Sequence, residues 1–564
     1  MERPAAMFIV CRWHGIRTHM SNLVTEVRDS VEQYGERPAV VFEDRELTYE
    51  QLWGRIGQFA AGLDERGIGE GDRVAVYLPN LPQFVTAFHG TLRAGGIVVP
   101  MNPQYRARET EHLLTDSGAR VVVTLPELVG ELEQVRDDTA VEHVVTVGES
   151  DGETGTRFEA FLGDGQEGVI DRADDAVAVQ PYTSGTTGRP KGVLLTHENL
   201  RSNAKAVSDL LPGGPKPEDR HIGVLPLFHI YGMTVVMNGA LFFGCSYYPM
   251  PEWDAQAAVS LTEDEEVTVM NGVPAMYLDI VNQPDAESFD LSSLRFANAG
   301  GSGLPREVAE GFAALYDLEL YEGYGLTETS PITHANRPGE LRPGSIGRPI
   351  DGVDAKVVDE DFREVARIER GPLDEEDLDS GGNDKGNASA LDDVTGEIVV
   401  AGPNVMKGYH DRPKATEEAF TEVDGRTWFH TGDVGYWDAD DYFYVVDRKT
   451  DLVVSGGYNV YPREVEEVLF EHEAVADVAV VGVPDERRGE TVTAFVVPDP
   501  GADVTADELR EFCLDRLAAY KHPREIEFRE ELPRTTTGKV KKYELREGET
   551  TDADEAASVG EAGE

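Results

Sequence analysis

Cysteine is nearly missing from this chain: Cys11, Cys245 and Cys513 are the only ones in 564 residues. They are too far apart for a disulfide framework or a paired zinc motif, which points to a reducing compartment, and a cytoplasmic location is expected. Basic residues are scarce as well. The chain has 51 Lys and Arg against 106 Asp and Glu, a formal charge of −55. A phosphate backbone would be repelled by such a chain, so nucleic acid is excluded as a partner. Long apolar runs are also lacking. The longest mostly apolar segment, Gly232 to Cys245, contains Asn238 and is too short to span a bilayer. The N-terminus has no hydrophobic signal region.

The acidity bears on the solvent too. Self-repulsion destabilises a compact state in dilute buffer, whereas at molar salt the Debye length falls to about 3 Å and screens it. The acidic excess runs along the whole chain instead of gathering in one patch. This favours adaptation to a hypersaline interior over an acidic interaction surface.

What is present fits a globular protein. Hydrophobic residues make up 40% of the chain, and its length calls for two or more domains. Strand-like runs such as Arg73–Leu78 and Glu397–Ala401 alternate with helical stretches, which gives an α/β class. Thr48 is placed to cap the helix that follows it. Tyr182-Thr-Ser-Gly-Thr-Thr-Gly-Arg-Pro-Lys-Gly192 stands out. Gly185 and Gly188 let backbone N–H groups turn toward an anion, Thr183, Ser184, Thr186 and Thr187 add hydroxyl donors, and Lys191 adds a charge. That combination suits a polyphosphate, although a polar surface loop has the same composition. The spacing is not that of the P-loop nucleotidases, because Pro190 stands where their second glycine belongs.

This string, together with Tyr324-Gly-Leu-Thr-Glu-Thr329, His430-Thr-Gly-Asp433, Asp447-Arg448-Lys449 followed by Val454–Pro462, and Leu532-Pro-Arg-Thr-Thr-Thr-Gly-Lys539, occurs in one order and spacing. In this the chain resembles the acyl-adenylate-forming (AMP-binding) enzymes, which include acyl-CoA synthetases, adenylation domains and luciferase. The resemblance covers roughly residues 38 to 545. It implies a large N-terminal domain of two α/β subdomains plus a small β-barrel-like subdomain, followed by a small mobile α+β C-terminal domain. The expected boundaries are 20–447 and 448–543. Residues 1–19 form an extension without family likeness, and Met20 is an alternative start. An acidic, Gly/Asn/Asp/Ser-rich loop is inserted at 371–393, and an acidic disordered tail occupies 544–564.

The resemblance also implies an activity, an ATP-dependent carboxylic acid–CoA ligase that passes through an acyl-adenylate. ATP, Mg2+ and coenzyme A are the expected cofactors, and a homodimer is left open. Lys539 would bridge the substrate carboxylate and the α-phosphate, with Thr327 beside it. Glu328 would bind magnesium, together with Ser184 of the phosphate loop. Gly301 and Ser302, in the Gly300–Gly303 turn, and Glu322, Gly323 and Tyr324 would frame the adenine. Asp433 would take the ribose hydroxyls and Arg448 the ribose or phosphate. Gly456 would face the pantetheine arm. Tyr520, His522 and Arg524 match positions used for the coenzyme A nucleotide in some relatives, with a plain surface patch as the alternative. Thr450 stands where the family's hinge pivot is usually Asp or Lys, which is a departure.

His229, in Leu227–Gly232, would line the acyl site. It replaces the aspartate by which amino-acid-activating relatives pair a substrate ammonium, so an uncharged acid is expected. The small residues of the Gly-rich apolar helix through Gly239 and Gly244 leave volume that an acyl chain could fill, with tight helix packing as the alternative, above all for Gly239. With the fatty-acyl-ligase-like Gly272–Tyr277 they favour a medium- or long-chain fatty acid. An aryl acid comes second. Delivery of the acyl group to a different acceptor, and nucleotide binding without catalysis, are the remaining readings.

Overall fold

The computed structural model describes residues 22–148, 155–165, 168–183, 190–373, 394–449, 451–455, 458–485, 489–499, 501–502, 504–514, 516–517, 520–534, 540–542 and 544–546. The N-terminal extension, most of the acidic insertion and most of the tail lie outside these residues.

Among the described residues, two nine-stranded sheets build the large N-terminal part. In the first, Arg73–Tyr77, Ile97–Pro100, Val121–Thr124 and His143–Thr146 run parallel. Their near-continuous valine pattern is that of strands covered on both faces, and Val121–Thr124 is buried throughout. Lys191–Thr196 joins this sheet antiparallel to Val177–Val179. In the second sheet, Ser246–Pro249, Arg220–Gly223, Val269–Gly272, Phe296–Gly300 and Leu320–Gly325 are parallel neighbours. Ile332–Ala335 and Arg348–Pro349 extend it antiparallel. One hydrophobic cluster, including Phe59, Phe88, Leu195, Tyr247 and Phe312, joins the two sheets.

Local chemistry explains several boundaries. Thr48 caps the helix Tyr49–Asp64 as expected: its hydroxyl accepts from Gln51 N at 3.3 Å, while Gln51 Oε1 accepts from Thr48 N at 3.0 Å. The apolar segment after Leu227 departs from expectation. It starts as a wide π-type helix, Tyr231–Asn238, wholly buried, and ends in a short α-helical turn at Leu241. It does not continue through Gly244. That residue has φ +77°, and the Tyr34 ring lies 2.2 Å from where its Cβ would be, so Tyr34 fills the space the sequence had offered to a ligand.

A five-stranded antiparallel sheet follows, built on Asp354–Val358, Gly396–Ala401, Phe420–Val423, Arg426–Trp437 and Phe443–Arg448. It stands where the resemblance implied a barrel-like subdomain. The small C-terminal part has its own sheet, centred on Val475–Asp485 and Gly489–Pro498. Helices Pro462–Phe470 and Ala506–Leu514 pack on it around Val465, Leu469, Val480, Val496 and Leu509. No described helix is long and apolar enough to cross a membrane.

The few cations are shared. Arg201 contacts Glu26, Asp174 and Glu198 at 3.1, 2.9 and 3.0 Å. Arg120 takes both Asp72 and Glu142, and Arg342 takes both Asp438 and Asp440.

Gly347 has φ +85°, and a Cβ there would lie 2.0 Å from the Ala335 carbonyl carbon. Gly339 has φ +76° with open space around it. Gly347→Ala is expected to cost at least about 2 kcal/mol and Gly339→Ala only about 1 kcal/mol, read from denaturant midpoints. Equal costs would show that backbone strain, not the close approach, decides the effect.

Candidate functional site

Tyr182–Thr183 and Lys191–Thr196 form a hairpin, with Thr183 opposite Lys191 and Tyr182 opposite Gly192. Its connecting residues Ser184, Gly185, Thr186, Thr187, Gly188 and Arg189 lie outside the described residues. The hairpin is fixed from both sides. On one, the Tyr182 hydroxyl donates to Asp116 Oδ2 and accepts from Gln180 Nε2, both at 2.9 Å. On the other, Val193 and Leu194 pair with Tyr409 and Gly408, and His410 N donates to the Gly192 carbonyl at 2.8 Å.

This second contact brings in Glu328. The Tyr409 hydroxyl donates to Glu328 Oε1 at 2.9 Å, and Lys191 Nζ lies 5.2 Å from the centre of the Tyr409 ring. Met406 N donates to the Glu328 carbonyl at 2.7 Å. Asn404 Nδ2 donates to the carbonyls of Thr329 and Ile332 at 2.8 and 3.1 Å, which fixes the Thr327–Thr329 turn. Burial pushes the Glu328 carboxyl up, while the Tyr409 hydroxyl, Arg448 and Lys191 pull it down. Burial outweighs these partners, so the carboxylate is short of positive charge. A hard divalent cation such as magnesium fits that deficit.

A second set of contacts centres on Asp433, which is 4% exposed. The Tyr324 hydroxyl donates to its Oδ2 at 2.5 Å, and Arg448 Nε lies 3.3 Å from its Oδ1. Asp433 and Arg448 are direct cross-strand partners, so the ladder itself sets this pair. Burial first, and the Asp433 charge second, hold the Tyr324 phenol well above its ordinary range. About two of the four acceptor positions of Asp433 remain for a ligand.

The adjoining edge is lined with glycine. Gly272 and Gly300 end neighbouring parallel strands, and Gly300 faces Gly323 across the ladder. The carboxyl ends of parallel strands are the usual place for a ligand in such sheets. Gly301 has φ +89°, with Val273 Cγ1 3.6 Å from where its Cβ would be, and Ser302 is exposed. Below Gly300, Asn298 Nδ2 donates to the Tyr231 hydroxyl at 2.6 Å. His229 is half-buried at the head of the Tyr231–Asn238 helix, and its carbonyl accepts from Met233 N at 3.1 Å.

Arg463, on the first turn of Pro462–Phe470, reaches over this edge from the C-terminal part. Its Nη2 lies 2.5 Å from where a Cβ on Gly303 would be. Glu322 is buried beneath. Burial raises its carboxyl to about 7, while the Arg463 guanidinium and the Leu304 amide pull it down.

The sequence reading thus converges at Thr183, Lys191, Tyr324, Thr327, Glu328, Asp433 and Arg448. It missed Tyr409, which connects Lys191 to Glu328, and Arg463, which lies over Gly303 and faces Glu322. The only signal for Tyr409 was its place in Lys407-Gly-Tyr-His410. Of the residues assigned to coenzyme A, Tyr520 packs on the C-terminal core and Arg524 N donates to the Val492 carbonyl at 2.9 Å. His522 is buried, which does not fit a plain surface patch. Lys539, Thr450 and Gly456 lie outside the described residues.

A family model described as AMP-binding enzyme matches residues 27–410, and one described as AMP-binding enzyme C-terminal domain matches 464–539. The chain is 36% identical over 566 residues to a long-chain-fatty-acid–CoA ligase of Bacillus subtilis (strain 168), covering 95% of this chain and 96% of the relative. Its fold matches ATP-bound MatB from Rhodopseudomonas palustris with a TM-score of 0.81 at 31% identity, over 94% and 98% of the two chains. It also matches the anthranilate CoA ligase AuaEII in complex with anthranoyl-AMP, with a TM-score of 0.84 at 27% identity and the same coverage.

Glu322 yields a signed pH prediction. Its carboxyl rises from 4.5 to about 7 on folding, so the folded state holds the proton more tightly. Its stabilising contribution is complete below about 4.5 and is lost as pH rises toward 7. Glu322→Gln removes this titration. The melting-temperature gain of the variant over the parent protein should therefore grow between pH 4.5 and 7 and level off above. A pH-independent difference would show that Glu322 titrates as it does in the unfolded chain.

Proposed function

The chain belongs to the AMP-binding enzyme family, and from that premise we propose an ATP-dependent carboxylic acid–CoA ligase acting on an apolar acid of medium or long chain. One observation carries the reading. Lys191, Tyr409 and Glu328 on one side, and Tyr324, Asp433 and Arg448 on the other, adjoin the edge where parallel strands end in glycine.

A carboxylate cannot acylate a thiol directly, because oxide is a poor leaving group. Activation solves this: the carboxylate oxygen attacks the α-phosphorus of ATP, the bond to pyrophosphate breaks, and an acyl-AMP anhydride forms. The thiol of coenzyme A then loses its proton and attacks the acyl carbon, and AMP leaves. The protein's work is positioning and charge stabilisation.

In this reading the loop from Thr183 to Lys191 takes the leaving phosphates, and Thr327 takes the α-phosphate. Gly301, Ser302, Glu322, Gly323 and Tyr324 frame the base, and Asp433 and Arg448 take the ribose. Glu328, with Ser184, would hold magnesium, which when bound offsets the phosphate charge. Lys539 would act between the two reacting anions, where a fixed cation lowers their repulsion most. Gly456, Tyr520, His522 and Arg524 serve the thiol substrate.

His229, standing where an ammonium-pairing aspartate would be, and the wholly buried Tyr231–Asn238 helix support an uncharged, apolar acid. So does the fatty-acid ligase from Bacillus subtilis. The Tyr231–Asn238 helix also supports a second reading, an aryl acid. Tyr231 is tied to Asn298 beneath Gly300, a flat aromatic floor, and the anthranilate ligase shares the fold.

Carboxylate-dependent ATP–pyrophosphate exchange in molar salt, across acids of graded length and aromaticity, separates the two. Exchange should rise with chain length, and coenzyme A should speed AMP release. Exchange confined to aryl acids would move the assignment to the second reading, and none with any acid would remove ligase chemistry. Lys539→Ala should abolish exchange while sparing thioester formation from preformed acyl-AMP. Equal loss of both steps would remove Lys539 from its role. Tyr409→Phe takes one hydrogen bond from a charged group, worth about 1.5–3 kcal/mol. It should cut kcat/KM for ATP by roughly ten- to a hundredfold and raise the magnesium needed for half-maximal rate. An unchanged magnesium requirement would separate Tyr409 from the metal.

A further inference from the structure

Away from the nucleotide edge, the second sheet gathers three chemically reactive side chains at its opposite end. Asp219 precedes strand Arg220–Gly223, His221 lies within it, and Cys245 precedes the parallel partner Ser246–Pro249. Arg220 and Ser246 are in register, so the three come together at the strand starts, whereas Gly272 and Gly300 lie at the strand ends. Asp219, His221 and Cys245 are 2%, 2% and 0% exposed. One ligand atom from each lies within 4.8 Å of the other two.

The imidazole is the informative group. Neither ring nitrogen of His221 has a hydrogen-bond partner. Buried polar atoms left idle cost about 1–3 kcal/mol each, so this arrangement calls for a partner that the polypeptide does not supply. The other two groups are already oriented. The Cys245 thiol faces the Lys216 carbonyl at 3.1 Å. The Asp219 carboxylate is gripped by Arg295 through Nε at 2.7 Å and Nη2 at 2.5 Å, by Lys216 N at 2.7 Å and by the Thr268 hydroxyl at 3.1 Å.

We propose that Asp219, His221 and Cys245 form a structural zinc site that ties the starts of two parallel strands together. Sulfur, nitrogen and oxygen donors in one buried cluster are a zinc set; magnesium and calcium do not take thiolate. With neither ring nitrogen engaged, the imidazole can offer one to the metal. The Arg295 grip on Asp219 is the outer contact that orients a ligating carboxylate.

On binding, a zinc–sulfur bond forms and the thiol proton passes to solvent. The Thr268 hydroxyl, the longest of the contacts to Asp219, gives up its place on Oδ1 to the metal. The thiolate and the carboxylate bring two negative charges to the ion, the carboxylate's being shared with Arg295. The Lys216 carbonyl, already at the sulfur, is available for the fourth position. Lying at the far end of the strands from the nucleotide edge, the site stabilises the sheet and takes no part in acyl transfer.

The test uses the full chain, prepared in molar salt without chelator. Elemental analysis should find about one zinc per chain. Exchange with Co2+ should produce a thiolate-to-cobalt charge-transfer band in the intact protein but not in Cys245→Ser. Chelation should lower the melting temperature, and added Zn2+ should restore it. Less than half a zinc per chain with no cobalt band would overturn the site. So would a band that survives Cys245→Ser, since it would belong to another thiol. Should Cys245→Ser fail to fold, the cycle of chelation and zinc return on the unmutated protein decides the matter, and an unchanged melting temperature overturns the proposal.

Discussion

The site depends on one short ladder, the pairing of Val193 and Leu194 with Tyr409 and Gly408. This contact joins the first α/β sheet to the segment leading into the antiparallel sheet, and two functional groups hang from its two sides. The hairpin strand carries Lys191, and the partner strand carries Tyr409, which reaches Glu328 in the turn between Leu320–Gly325 and Ile332–Ala335 of the second sheet. Three short segments, distant in sequence, are thereby held in contact with one another. None of them could take this arrangement alone, because Lys191 and Glu328 are both placed against Tyr409.

The Asp433 group follows a different rule. Its arginine is a cross-strand partner, so the antiparallel register fixes the pair without any long-range contact. Only the Tyr324 hydroxyl comes from elsewhere. This half of the site is rigid by local geometry, and the Glu328 half is rigid by tertiary contact. A ligand spanning both would therefore sense the spacing between the second sheet and the antiparallel sheet.

Much of this was legible in the sequence because it is local. The Thr48 cap, the valine-rich strands and the Pro462–Phe470 helix are set by neighbours three or four residues away. The functional strings were legible as glycines and charges whose order matches one family. What could not be read was the joinery. Tyr409 looks like an ordinary tyrosine until the Glu328 carboxylate is found against it, and Arg463 like one more helix-start cation until it is found above Gly303. Gly244 misled for the same reason. A glycine in an apolar run suggests empty volume, and only the tertiary structure shows the Tyr34 ring already filling it.

Arginine sharing has a consequence for how such a chain can change. Arg201 bridges three carboxylates, and Arg120 and Arg342 two each. Losing one of these guanidiniums leaves a small nest of like charges whose repulsion no longer has a centre. Drift toward still greater acidity is therefore uneven: surface acids can accumulate almost freely, while a handful of cations becomes irreplaceable. Those few positions set the limit on how negative this fold can become.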